Sequence, residues 1–189
     1  MASLTGARRW LVLVAACIAA LPGSNAMPAP PAAEYQVKAA YLFNFSQFVE
    51  WPAAAYASPD APFVIGILGE DPFGGALDAV VRGESLTGHP LVVKRFRSAD
   101  EIAGCNILFI GRSEAPTLEK TLQSLRGRHV LTVTDVTGAE SRAAIIVLKT
   151  ENNRVRMRIN IEEARANDLV ISSKLLRPAE VVGAGAAGS

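Results

Sequence analysis

The side chains able to do chemistry are few and scattered. The 189 residues include two histidines, His89 and His129, and two cysteines, Cys17 and Cys105. Metal sites draw His, Cys, Asp and Glu together at ligand spacing, and no CxxC or HExxH run occurs. No metal and no cofactor is therefore expected. No serine sits in a G-x-S-x-G turn, and neither G-x-G-x-x-G nor G-x-x-x-x-G-K-[ST] appears. Ser113, His129 and Asp135 make a triad on paper only, because any chain of this length offers such a set. Cys105 opens an apolar run, where a small buried thiol is the simplest reading.

Two sets of polar residues are better placed. Glu70, Arg112 and Asp135 each follow an apolar run that reads as a strand. In open α/β sheets ligands bind beyond the carboxyl ends of parallel strands, so these three mark a candidate small-ligand edge; ordinary loop polarity is the simpler explanation. The second set is Arg154, Arg156 and Arg158, alternating with Val155, Met157 and Ile159. Period-two alternation puts the arginines on one face of a strand. That row suits an anionic partner surface or ligand, or else guards an edge against unwanted strand pairing.

The elements that must carry these residues are legible. Between Phe63 and Val133 four apolar runs alternate with helical spacing: Phe63–Leu68, Leu91–Phe96, Asn106–Ile110 and Val130–Val133. Helical stretches fall at 73–82, around Asp100–Ala103 and at 117–125. This alternation predicts an α/β three-layer sandwich on a mostly parallel central sheet. Ala143–Leu148 reads as a strand buried on both faces. Glu151-Asn152-Asn153 then predicts a tight turn into the arginine strand, making an antiparallel hairpin towards the C-terminal end. Asn160 with Glu163, and Ser172-Ser173, read as helix caps. A response-regulator receiver is excluded. Glu70, Asp71 and Lys149 suit one, but the place of its phosphate-accepting aspartate holds Gly111-Arg112.

Ahead of the first strand, Glu34–Pro52 is rich in aromatic residues. Wound at 100° per residue, it sets Val37, Tyr41, Leu42, Phe45, Phe48 and Val49 on one arc. Lys38 interrupts that arc and is expected to bury its stem and turn its ammonium outward. Phe43 falls among Gln36, Ser46, Gln47 and Glu50 on the polar arc, where it either packs within the fold or marks a partner contact. Pro52 is expected to end the helix.

The first 26 residues read as an export signal. Arg8-Arg9 precedes an apolar run, Trp10–Leu21, and Ser24-Asn25-Ala26 supplies a small-x-small cleavage pattern. The run falls short of the roughly 20 residues a membrane span needs. Cys17 offers a competing lipoprotein site, but the chain stays apolar after it. Removing two arginines and no acids takes the formal charge from +1 to −1, which gives no case for nucleic acid. No later run is long enough for stable membrane insertion. The expected organisation is a signal at 1–26, a Pro/Ala leader at 27–33, one α/β domain at 34–182 and a small-residue tail at 183–189.

Several segments, in order, resemble the YfiR family of periplasmic proteins. They are Lys38-Ala39-Ala40-Tyr41-Leu42-Phe43-Asn44-Phe45, Phe48-Val49-Glu50-Trp51-Pro52 and Gly104-Cys105-Asn106-Ile107-Leu108-Phe109-Ile110. Val130-Leu131-Thr132-Val133-Thr134-Asp135, Arg158-Ile159-Asn160 and Ser172-Ser173-Lys174-Leu175-Leu176 complete the set. The resemblance implies a non-enzymatic periplasmic regulator. Such a protein binds the periplasmic sensor region of an inner-membrane diguanylate cyclase and represses cyclic-di-GMP synthesis, and with it exopolysaccharide and biofilm. It implies the same α/β fold and leaves homodimerisation open. Better-known members carry paired cysteines; with Cys105 alone after export, an internal disulfide is not expected here. On this reading Phe43, Arg154, Arg156 and Arg158 are the candidate partner contacts. The alternative is a periplasmic small-ligand sensor feeding a membrane histidine kinase or cyclase, with Glu70, Arg112 and Asp135 at its pocket.

Overall fold

The structure, a computed structural model, describes residues 32–183. The expected signal, most of the leader and all of the tail but Gly183 lie outside the described residues. The chain opens with α1 (Ala32–Phe48) and a two-residue strand, β1 (Val49–Glu50). Then come β2 (Phe63–Leu68), α2 (Ala76–Val81), β3 (Ser85–Leu86), β4 (His89–Phe96), β5 (Ile107–Ile110) and α3 (Leu118–Leu125). The second half runs β6 (Leu131–Thr134), β7 (Ile146–Glu151), β8 (Arg154–Asn160), α4 (Ile161–Ala166), β9 (Val170–Ile171), α5 (Ser173–Leu176) and β10 (Glu180–Val182). Eight strands form one sheet in the order β10-β8-β7-β6-β5-β2-β4-β3. The five strands from β7 to β4 run parallel, while β7–β8 and β3–β4 pair antiparallel.

Two cores make this a three-layer sandwich, as the alternation of strands and helices predicts. Tyr35, Leu42 and Phe45 of α1 and Leu77 of α2 pack on Phe63, Ile65, Ile67, Ile107, Phe109, Leu131 and Val133. On the other face Leu118, Leu122 and Leu125 of α3 meet Val64, Leu68, Leu108 and Ile110. Successive strand residues thus serve opposite cores, as the pleat requires. Each fully buried Leu, Ile or Phe contributes about 1.5–3 kcal/mol against exposure. The strands β2 and β5, buried along their whole length, form the centre of that packing.

The hairpin forms as its turn residues require. Asn152 and Asn153 have φ of 49° and 61°, the left-handed pair a type I′ turn needs. The Asn160 side chain accepts from the backbone N–H groups of Glu162 and Glu163 at 3.1 and 3.2 Å, capping α4. Ser172 Oγ accepts from Lys174 N at 3.3 Å and caps α5.

Three expectations change. Helix α1 stops at Phe48, four residues before Pro52, because β1 pairs antiparallel with β9 and Ser172 N donates to Phe48 O at 2.9 Å. A distant segment, not the proline, ends it. Val37, placed on the buried arc from sequence, is 46 % exposed; Ala39 fills the core position instead. The arginine strand β8 is not an edge, since β10 pairs with it in parallel from Glu180↔Arg158 to Val182↔Asn160.

Close packing at the sheet centre rests on one glycine. A Cβ at Gly66 on β2 would lie 2.7 Å from both Cys105 Sγ and Phe96 Cε2, and 3.0 Å from Leu108 Cδ1. All three belong to the core shared with α3, so none can give way without shifting its neighbours. Gly66→Ala is expected to cost about 1–3 kcal/mol as overpacking, seen as a lower urea midpoint at unchanged slope. A midpoint equal to wild type would show that this core has room to relax.

Candidate functional site: a buried charge cluster beside a cleft

The site is assembled where adjacent parallel strands end. Ile110 of β5 and Thr134 of β6 are paired in register, so Arg112 and Asp135 leave the sheet side by side. Thr134 Oγ1 donates to Ile110 O at 2.8 Å and accepts from Val136 N at 3.1 Å, which holds the turn that carries Asp135. Helix α1 starts over this edge. Lys38 lies four residues after Glu34 and three after Tyr35, the two spacings that make helix neighbours.

Five side chains meet there. Lys38 Nζ lies 2.7 Å from Asp135 Oδ2 and 2.6 Å from Glu34 Oε1, with the Lys38 and Asp135 side chains wholly buried. Tyr35 donates its hydroxyl to the same Asp135 oxygen at 2.6 Å. Arg112 Nε stands 3.4 Å from Asp135 Oδ2, and its Nη2 is 3.9 Å from Glu34 Oε1. The lysine also sits 4.4 Å from the centre of the Tyr35 ring, on the face that attracts cations. The sequence reading turned this ammonium outward. It points inward because a buried carboxylate waits at the end of a strand 97 residues away.

The electrostatics follow from the geometry. Burial raises the Glu34 carboxyl, but hydrogen bonds from Lys38 and Thr150, with the charges of Lys38 and Arg112, outweigh it and hold Glu34 below its ordinary value. Burial, and then the Asp135 carboxylate, push the Tyr35 phenol far above the usual range, so it stays a donor. Asp135 Oδ2 accepts from Tyr35 and Lys38 and faces the Arg112 guanidinium, while Oδ1, equally buried, accepts no hydrogen bond from the described residues. Beside it lies a cleft of about 450 Å³ lined by Arg112, Ala115, Asp135, Val136, Thr137, Lys149 and Thr150. This arrangement can seat a small molecule that presents acceptors to Arg112 and Lys149, with the buried Asp135 side chain closed off behind Arg112.

The sequence-predicted residues are divided by the structure. Arg112 and Asp135 come together. Glu70 is exposed and does not line the cleft; its backbone N–H donates to Ser113 Oγ at 2.9 Å. The paper triad is not assembled, since His129 precedes β6 and Asp135 follows it, on the order of 20 Å apart along a strand. His129 lies instead 3.2 Å from Asn167 O and 3.4 Å from Asp168 Oδ2. Phe43 is half-buried against the larger core. Arg156 and Arg158 line a second cavity that Arg154 does not reach. Glu34, Tyr35, Lys38 and Lys149 were missed as site residues. Lys38, the one charge inside an apolar arc, was the signal that pointed to them. Cys105 is buried, and its thiol is pushed up to about 12 chiefly by that burial, so it stays protonated at neutral pH.

These features define a three-layer α/β domain with a charged cleft at the carboxyl edge of its sheet. Among the described residues there is no metal-binding cluster and no helix long and apolar enough to cross a membrane. The YfiR/HmsC-like family model matches residues 35–180, and the chain belongs to that family. The family is periplasmic and regulatory rather than catalytic. No curated protein matches the chain.

Removing one member of a buried ion pair strands the other charge. Asp135→Leu alone, or Lys38→Met alone, should lower stability by about 3–5 kcal/mol in chemical denaturation. The double change Lys38→Met/Asp135→Leu should recover most of that, because no charge is then buried alone. Additive losses in this cycle would mean the pair is not coupled. Glu34 gives a pH signature. Its folded value is depressed, so its contribution is full above the ordinary 4.5 and is lost as pH falls through the lower folded value. Glu34→Gln should flatten the acid limb of a stability profile below pH 4.5. An unchanged limb would remove Glu34 from the acid response.

Proposed function

We propose that this protein is a periplasmic repressor of an inner-membrane diguanylate cyclase, acting on the cyclase's periplasmic sensor region. The family match over residues 35–180 carries this reading. Cyclic-di-GMP is made in the cytoplasm, so a periplasmic regulator acts through the membrane partner's outer region. The physical requirement is differential affinity. Moving a two-state enzyme from 99:1 active to 1:99 takes roughly 10⁴-fold tighter binding to the inactive state, about 5.5 kcal/mol. The rim of Phe43 left uncovered on α1 and the exposed Arg154 at the hairpin tip are our candidate contacts. Because Phe43 also packs on the core, its truncation would mix stability with binding, and Arg154 is the cleaner probe.

Tagged protein should retain a membrane cyclase from detergent-solubilised membranes, and deletion of the gene should raise cyclic-di-GMP and matrix production. Arg154→Ala should weaken that retention while leaving the melting temperature unchanged. Retention of no cyclase, with cyclic-di-GMP unaltered on deletion, would sink the repressor reading. One observation favours a second reading, a sensor whose small ligand occupies the 450 Å³ cleft: the accessible cations Arg112 and Lys149 on its wall. Such a ligand would raise the melting temperature, and Arg112→Ala would abolish the shift.

A further inference from the structure

The arginine face of β8 carries a charge pattern that the fold itself does not require. Arg156 lies directly opposite Lys149 in the antiparallel register of β7 and β8, and like charges in that position are destabilising. Guarding a free edge does not explain them, since β8 is flanked by β7 on one side and β10 on the other. Arg177, beyond α5, is brought to the same place. Lys149, Arg156, Arg158 and Arg177 line one cavity of about 520 Å³ against two acids, Glu151 and Glu180, leaving a net charge of +2.

The acids are engaged in part. Glu151 is 2.5 Å from Lys149 Nζ, and Glu180 neighbours Arg158 across the β8–β10 pairing. Arg158 donates from Nη2 to Ser141 O at 3.1 Å and faces Ser141 Oγ at 3.3 Å, which aims its guanidinium along the cavity wall. Arg156 feels the Coulombic pull of Glu151. Among the described residues neither the Arg156 nor the Arg177 guanidinium makes a hydrogen bond or an ion pair. Val147 and Met157 add apolar surface. A concave site of this volume falls in the range of small-molecule pockets, and guanidinium forks match carboxylate and phosphate oxygens two at a time.

We propose that this cavity, lined by Lys149, Arg156, Arg158 and Arg177, binds a small polyanion bearing carboxylate or phosphate groups. The site adjoins the Asp135 cleft, sharing Thr137 and Lys149 with it, and stands whether or not the protein represses a cyclase.

Isothermal titration of the purified protein with pyrophosphate and with citrate tests it. Saturable binding of at least one probe is expected, weakened at least tenfold by Arg156→Gln or Arg177→Gln and within twofold of wild type for Arg154→Ala, which lies outside the cavity. Preference for one probe identifies the recognised group. Unchanged unliganded melting temperatures of the variants confirm that the loss is local. The proposal is overturned if neither probe binds at millimolar concentration, or if Arg154→Ala loses as much affinity as Arg156→Gln. It is also overturned if neither probe binds while Arg156→Gln releases a retained cyclase, which would assign these arginines to a protein contact. Absence of any retained cyclase would bear on the repressor reading alone and leave the titration result intact.

Discussion

The ion pair between Lys38 and Asp135 is the constraint on which the carboxyl edge of this fold depends. Each charge costs several kcal/mol to remove from water, and only good geometry with further hydrogen bonds offsets that. The geometry here is supplied by parts far apart in sequence: the first turns of α1, the end of β6, the Tyr35 hydroxyl and the Arg112 guanidinium. Helix α1 cannot rotate or slide on the sheet without burying a charge alone. An apolar contact would tolerate such slippage at small cost, whereas an ion pair does not. The pair therefore sets the register of α1 over the sheet as well as contributing to stability.

That constraint explains why the cleft beside it is well formed. Arg112, half exposed, faces Asp135 and Glu34, so one wall of the cleft is oriented by the charges that seat α1. An anion reaching Arg112 would compete with Asp135 and Glu34 for its guanidinium. Binding there would change the field felt by the start of α1. In physical terms, ligand chemistry at the edge and the seating of α1 are coupled through a single side chain.

How much of this was legible in the sequence follows from the range of each interaction. The central strands, the Asn152-Asn153 turn and the Asn160 and Ser172 caps depend on residues within a few positions of one another, and each was read correctly. The failures are long-range. Val37 lies on the apolar arc of α1, but the helix sits against α2 and the sheet in a way that exposes it. The end of α1 is set by a strand more than a hundred residues later, so Pro52 was a reasonable signal for the wrong event. Lys38 is the sharpest case. From sequence a lysine on an apolar arc snorkels to water, unless a carboxylate is buried within reach, and no local pattern could show that Asp135 would be. Of the candidate ligand edge, Arg112 and Asp135 were placed by strand ends alone, while Glu70 failed because a shared sheet edge does not fix where a side chain points.

The same reasoning separates the two basic features that sequence placed in one row. Arg154, Arg156 and Arg158 share a strand face by period two, and nothing in the alternation distinguishes them. Strand pairing does. Arg154 sits opposite Glu151 at the hairpin tip, Arg156 opposite Lys149, and Arg158 between Val147 and Glu180. One arginine is therefore matched by an acid, one faces a like charge, and one is directed by the Ser141 carbonyl into a cavity. A row kept only for solubility would not need Arg177 delivered beside it from the far side of α5. The convergence of charges from three chain segments on one concave surface is what distinguishes a recognition site from a solvated face.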